Sequence, residues 1–194
     1  MGPLAENAYL YWWGSEGVLV DPGAEARRIE AAVAEAGFDP VAVLLTHAHF
    51  DHLGAVAELG LPVYLHRDDL PLYERAPELA AGFGLRLRPP PPPAGFLSEG
   101  DRAFGLEVLH LPGHSPGHLA FFSPDEGLVF SGDLLFRGAV GRYDLPGADR
   151  EALWRSLLRL VSLPEETRVL PGHGPETTVG RERRENPFLL TGLP

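Results

Sequence analysis

Within the run Thr46-His47-Ala48-His49-Phe50-Asp51-His52 the chain places three imidazoles and one carboxylate in six consecutive positions. Neutral imidazole and carboxylate are the donors that zinc, iron and manganese accept, and crowding them together is costly without a cation. Three later segments carry the same residue types: Pro112-Gly113-His114-Ser115-Pro116-Gly117-His118, Ser131-Gly132-Asp133 and Pro171-Gly172-His173-Gly174. A single Pro-Gly-His would mean little, but the ordered set points to a metal site. A divalent metal held there would act as a Lewis acid and generate hydroxide from water, so no side-chain nucleophile is required.

Each segment follows an apolar run with the length and branching of a core strand. Val41 to Leu45 precedes the first, and Leu106–Leu111, Leu128–Phe130 and Thr167–Leu170 precede the others. Strands that deliver ligand-type residues just past their carboxyl ends match the place where α/β sheets build their sites. Around them, Asn7–Trp13 and Gly17–Asp21 read as a hairpin about Gly14-Ser15-Glu16, and Asp21-Pro22-Gly23 reads as a turn. Helical spacing predicts helices over Ala24–Ala36, Leu53–Leu59, Arg150–Val161 with Asp149 as N-cap, and Thr178–Glu185. Pro62–Leu65 and Leu119–Ser123 complete the expected strands. Pro89 to Pro93, inside Gly82–Gly95, prefers an extended conformation and reads as a stiff surface loop. Two β-rich halves, each with helices, suggest two sheets sandwiched between helical layers.

The chain has 194 residues, 44% of them hydrophobic, which suits one domain with a sizeable core. It has no long apolar segment and no basic start like a secretory signal, so a soluble cytoplasmic protein without membrane partners is expected. With no cysteine, thiolate ligands and disulfides are excluded. A formal charge of -11 argues against a nucleic-acid partner, since phosphate binding draws on clustered cations. All 16 basic residues are Arg, Gln is absent, Asn stands only at 7 and 186, and there are 20 prolines. That bias suggests a thermostable protein.

From Asn7 to about Leu189 the sequence resembles the metallo-β-lactamase superfamily: the motif of two His, Asp and His matches His47, His49, Asp51 and His52, and the later His, Asp and His match His114, Asp133 and His173. The resemblance implies an α/β, four-layer αββα fold over residues 1–194 and a two-metal centre. One metal takes His47, His49 and His114, the other Asp51, His52 and His173, and Asp133 bridges them. Zinc is the expected metal, with iron or manganese as alternatives. Asp51 and Asp133 are the candidate catalytic carboxylates, with a metal-held hydroxide as nucleophile. His118 is expected to orient a ligand, while His66 and His110 read as structural.

Two segments, Gly141-Arg142-Tyr143-Asp144 and Glu185-Asn186-Pro187-Phe188-Leu189, are similar to the short glyoxalase II-like hydrolases. This implies hydrolysis of a small-molecule thioester or ester, with a hydroxyacylglutathione as a candidate and Arg142 and Tyr143 as substrate contacts. A C-terminal helical region like the one that supplies glutathione contacts in full-length glyoxalase II is not expected here. Arg142, Arg181, Arg183 and Arg184 are then the nearest candidates for an anionic tail. Related persulfide dioxygenases use a single iron, here at His47, His114 and Asp133, and lactonases share the whole ligand set. A metal-binding or sensing protein is the alternative outside enzymes. Asp51, His52 and His173 complete a second metal site, which favours hydrolysis. The sequence carries no signal for oligomeric state.

Overall fold

The strand Asp39–Leu44 shows why the first half of the chain folds as it does. Its Ala42, Val43 and Leu44 are all fully buried, so the strand lies covered on both faces, as parallel strands in α/β proteins are. The computed structural model describes residues 1–193. It divides into two units, Met1–Leu97 and a second from Ser98 onward.

The first unit runs β1 (Tyr9–Trp13), β2 (Glu16–Val20), α1 (Ala26–Ala36), β3 (Asp39–Leu44), α2 (Phe50–Leu53), α3 (Val56–Leu59), β4 (Val63–Leu65), α4 (Leu70–Gly82) and β5 (Gly95–Phe96). Its sheet has the order β1-β2-β3-β4-β5. The β1–β2 hairpin is antiparallel, whereas β2–β3, β3–β4 and β4–β5 are parallel. Ile29 and Val33 on α1 pack with Leu19, Val43, Val63, Leu65 and Tyr73 in one apolar core. Burying a side chain of this size stabilises by about 1.5–3 kcal/mol.

The single helix expected over Leu53–Leu59 is instead the two short turns α2 and α3, because the Ala55 N–H is taken by the Pro22 carbonyl at 2.9 Å and leaves the helical ladder. The chain between His66 and the prolines, for which no element was expected, forms the 13-residue α4. The Tyr73 hydroxyl of α4 donates to the Pro91 carbonyl at 2.8 Å, so the proline run is fastened to the helix.

The second unit runs β6 (Arg102–Ala103), β7 (Leu106–His110), β8 (Leu119–Ser123), β9 (Leu128–Gly132), β10 (Leu135–Phe136), β11 (Ala139–Val140), α5 (Arg150–Leu160), β12 (Arg168–Pro171), β13 (Thr177–Thr178), α6 (Val179–Glu185) and α7 (Pro187–Thr191). The main sheet has the order β13-β12-β9-β8-β7-β6, and β10–β11 is a separate hairpin. Asp149 caps α5 as expected, its Oδ1 accepting from the Ala152 N–H at 2.8 Å. Leu153, Leu157 and Leu160 of α5 pack with Ala120, Val129 and Val169. Among the described residues no helix is long and apolar enough to cross a membrane.

Candidate metal centre

In the first unit the ligand-type residues emerge together because β2 and β3 are parallel and in register, with Val20 opposite Leu44. Asp21 follows β2 and Thr46 follows β3. Asp21 sits at φ 49°, a left-handed conformation that Asp tolerates better than most residues. Its Oδ1 accepts from the Thr46 N–H at 2.7 Å, and its Oδ2 accepts from the Thr46 hydroxyl at 2.6 Å and from His52 Nδ1 at 3.0 Å. A carboxylate can only accept, so His52 carries its proton on Nδ1 and leaves Nε2 unprotonated, the form a metal ligand requires. The Thr46 hydroxyl donates its hydrogen bond to Asp21, so its oxygen accepts from His47 Nδ1 at 3.1 Å and fixes the same tautomer there.

The imidazoles are close. The His47 ring centroid is 4.7 Å from that of His49, edge-on, and 4.1 Å from that of His52. His47 and His52 are fully buried. Asp51 Oδ2 lies 3.9 Å from His52 Nε2. The loop backbone is held from α4's start, where buried Asp69 Oδ2 accepts the Ala48 N–H at 2.9 Å. Glu6 is 1% exposed, and burial pushes its carboxyl up to about 9; neighbouring His52 pulls the other way, while Asp21 adds to the rise.

In the second unit three strand ends converge. Strand β7 is antiparallel to β8, and β8 to β9, so β7 and β9 run the same way and His114 and Asp133 follow them at one end of the sheet. Strand β12 is parallel to β9, with Pro171 opposite Gly132, which brings His173 there too. Asp133 Oδ2 is 3.7 Å from His114 Nε2 and 3.6 Å from His173 Nε2. These separations exceed hydrogen-bond range and suit ligands of a shared cation. His114 Nδ1 donates to the Arg142 carbonyl at 2.8 Å, so this ring also turns Nε2 toward Asp133. His118 is fully buried and its ring meets His114 edge-on at 6.1 Å.

The β10–β11 hairpin leaves directly from Asp133 and returns over it. A Cβ on Gly141 would stand 1.8 Å from the Asp133 carbonyl oxygen, so only glycine permits the return. Phe136 on the hairpin sets its ring edge-on to His173 at 6.3 Å. Glu182 and Asn186, both buried, brace the hairpin from α6. Glu182 Oε2 accepts from the Gly138 N–H at 2.8 Å and from the Asn186 amide at 2.9 Å, and Asn186 also donates to the Ala139 carbonyl at 3.1 Å.

Within each unit, then, the expected ligand residues lie together: His47, His49, Asp51 and His52 in one, His114, Asp133 and His173 in the other. Arg142 is exposed and forms a two-pronged pair with Asp144, 2.9 Å on each arm, while Tyr143 packs against the core. His110 is half-buried in β7, with Nε2 at 2.9 Å from the Pro116 carbonyl. Asp21, Asp69, Glu6 and Glu182 belong to the site's support and were not anticipated. For Asp21 the signal was present, since it follows an apolar strand just as His47 does. The donor set fits divalent metal: buried imidazoles with Nδ1 tied to an acceptor, and carboxylates beside them.

The profile of the metallo-beta-lactamase superfamily matches residues 1–173. The "Probable metallo-hydrolase YqgX" of Bacillus subtilis is 43% identical, across 97% of this chain and 94% of that protein. The hydroxyacylglutathione hydrolase GloC of Haemophilus influenzae is 38% identical, across 95% of this chain and 92% of its own length. The crystal structure of TTHA1623 in a di-iron-bound form superposes with a TM-score of 0.94 at 62% identity, covering 97% of this chain and 98% of that one. Strand ends that carry His and Asp, a matching profile over most of the length and near-complete structural overlap converge on one statement: the chain belongs to the metallo-beta-lactamase superfamily and has its fold.

Proposed function

We propose that the chain is a metal-dependent hydrolase that cleaves a small-molecule thioester, with a hydroxyacylglutathione as the leading candidate. In this reading His47, His49 and His114 would hold one metal, Asp51, His52 and His173 the other, and Asp133 would serve both. The observation that carries it is the shared tautomer of three imidazoles. Thr46 Oγ1, Asp21 Oδ2 and the Arg142 carbonyl each accept a hydrogen bond from an Nδ1–H, that of His47, His52 and His114 respectively, and so leave Nε2 to a metal. Metals held there supply a Lewis acid and a hydroxide nucleophile at neutral pH.

The chain's own residues do the rest. Asp21 and Thr46 fix two rings with one carboxylate, and Arg142 acts on His114 through its backbone. Asp133, held under the hairpin return, keeps its carboxylate directed at His114 and His173. The thioester assignment is supported by the likeness to GloC, and the di-iron form of TTHA1623 makes iron as reasonable a resident metal as zinc. The complete second ligand set favours hydrolysis over oxygen chemistry, which needs one iron with two His and one carboxylate.

The test uses protein loaded with zinc or with iron. Elemental analysis should approach two metals per chain, and S-lactoylglutathione should release thiol without oxygen. Replacing His52 or His173 with Ala should lower both metal content and rate. Oxygen uptake on glutathione persulfide, together with no thiol release in any metal form, would overturn the reading in favour of a dioxygenase.

A further inference from the structure

We propose that Arg137, at the tip of the β10–β11 hairpin, is the cation that receives a carboxylate on the thiol portion of the substrate. The inference rests on the thioester hydrolase reading and adds to it a specificity-determining residue.

The first observation is one of charge. With a net charge of -11 the protein repels an anionic substrate unless a local cation offsets the field. The arginines picked out by sequence are committed. Arg142 is paired with Asp144, Arg181 with Glu185 at 2.8 Å, and Arg183 and Arg184 with Glu165 at 3.3 and 3.1 Å. A paired arginine adds little net positive potential at its position. Arg137 is exposed, and among the described residues no carboxylate lies within ion-pair distance of it.

The second observation is one of place. Leu135 pairs with Val140 and Phe136 with Ala139, so Arg137 and Gly138 form a two-residue turn, with Gly138 at φ 73°. The arm begins at Asp133, and Phe136, the residue before Arg137, touches the His173 ring. Four residues of extended chain span at most about 13 Å, so the Arg137 backbone lies within that distance of the shared ligand. A peptide-like tail extends ~3.3–3.6 Å per residue. A carboxylate two or three residues from the scissile bond is therefore about 7–11 Å away, a span matched to a guanidinium mounted on this arm.

The third observation is the brace. An exposed hairpin of two-residue strands is marginal alone. Here the acid that touches it, Glu182, is 1% exposed, and its oxygens are taken by the Gly138 N–H, the Asn186 amide and the Thr177 hydroxyl. Neutral donors thus occupy that carboxylate. The brace holds the turn by its backbone and leaves the Arg137 side chain to bind, which is the pre-organisation that anion recognition needs.

The experiment compares wild type, Arg137→Glu and Arg137→Lys, all metal-loaded. S-lactoylglutathione carries carboxylates on its thiol portion; S-lactoyl-N-acetylcysteamine carries none. Arg137→Glu should lower the ratio of kcat/KM for the charged over the uncharged thioester about tenfold, through KM of the charged one, and Arg137→Lys should restore most of it. Calorimetry with S-methylglutathione, which cannot be hydrolysed, should show Kd rising about tenfold in Arg137→Glu, and rising with salt in wild type. An unchanged ratio with a Kd within twofold of wild type would overturn the proposal, as would wild type failing to bind the thioether. If wild type hydrolyses neither thioester, the hydrolase reading fails, and the calorimetric comparison still decides the role of Arg137.

Discussion

Replacing Asp21 with Asn changes one atom type in the support of His52, and its effect can be worked out from the hydrogen bonds. Asp21 accepts three hydrogen bonds at 2.6–3.0 Å, and His52 is fully buried. An Asn oxygen can keep the Thr46 N–H, which leaves the amide NH2 facing His52 Nδ1. Two donors cannot share a bond, so the ring moves its proton to Nε2 and accepts at Nδ1. That is the wrong tautomer for a metal at Nε2. Binding then requires breaking the new amide bond and leaving a buried donor unmatched, at about 1–3 kcal/mol. At 1.4 kcal/mol per decade, this predicts metal at that position bound roughly 5- to 150-fold more weakly, in line with the 10–100-fold typical of such supporting groups. Thr46 and His47 are coupled through the same carboxylate, so the other metal should weaken as well, by less. The assay is competition with a chromogenic chelator on protein that keeps its native far-UV spectrum. Unaltered affinity for both metals in folded Asp21→Asn would refute the tautomer argument and, with it, the observation on which the functional reading stands.

Two further outcomes follow from the second unit. Asn186→Ala removes a fully buried amide that bonds Glu182 and the Ala139 carbonyl and caps α7 by accepting the Phe188 N–H at 3.0 Å, so denaturant unfolding should show a loss of about 2–4 kcal/mol. Glu99 is held below the ordinary 4.5 by its hydrogen bond from Arg159 and, less strongly, by the His110 N–H. Its contribution is thus present above pH 4.5 and lost as pH falls through the lower folded value. With both side chains nearly half exposed, it is worth less than about 1 kcal/mol. The stability difference between wild type and Glu99→Gln should therefore shrink between pH 6 and pH 3; a difference that grew in acid would contradict the assignment.

The candidate ligand residues stand out in the sequence because their chemistry is carried by type and spacing, and because each follows a strand whose burial is written in its composition. Support residues stand out less. Asp21 in Asp21-Pro22-Gly23 reads as a turn, and only the parallel register of β2 with β3 reveals that it faces Thr46. Glu182 lies in a charged helix segment, Val179–Glu185, and nothing local distinguishes its buried carboxylate from the exposed Arg183 and Arg184 beside it. Helix α4 was hidden by Pro77 within it and by weak apolar spacing, and it is held by Tyr73 and Ala76 in the core. Strands β5, β6, β10, β11 and β13 are two residues each, and exist only through their partners.

The hairpin over Asp133 divides a sterically fixed duty from a changeable one within eight residues of chain. At its base, the Gly141 crossing admits no side chain, so the path of the backbone beside Asp133 is locked. At its tip, Arg137 and Gly138 are exposed and tied down by a single backbone N–H to Glu182. The turn can therefore be exchanged as a cassette, provided that N–H is kept, while the metal geometry stays in place. In directed evolution, libraries confined to positions 137 and 138 should yield shifts in substrate preference at a high fraction of metal-replete clones, whereas libraries at 141 should yield mainly metal-poor ones.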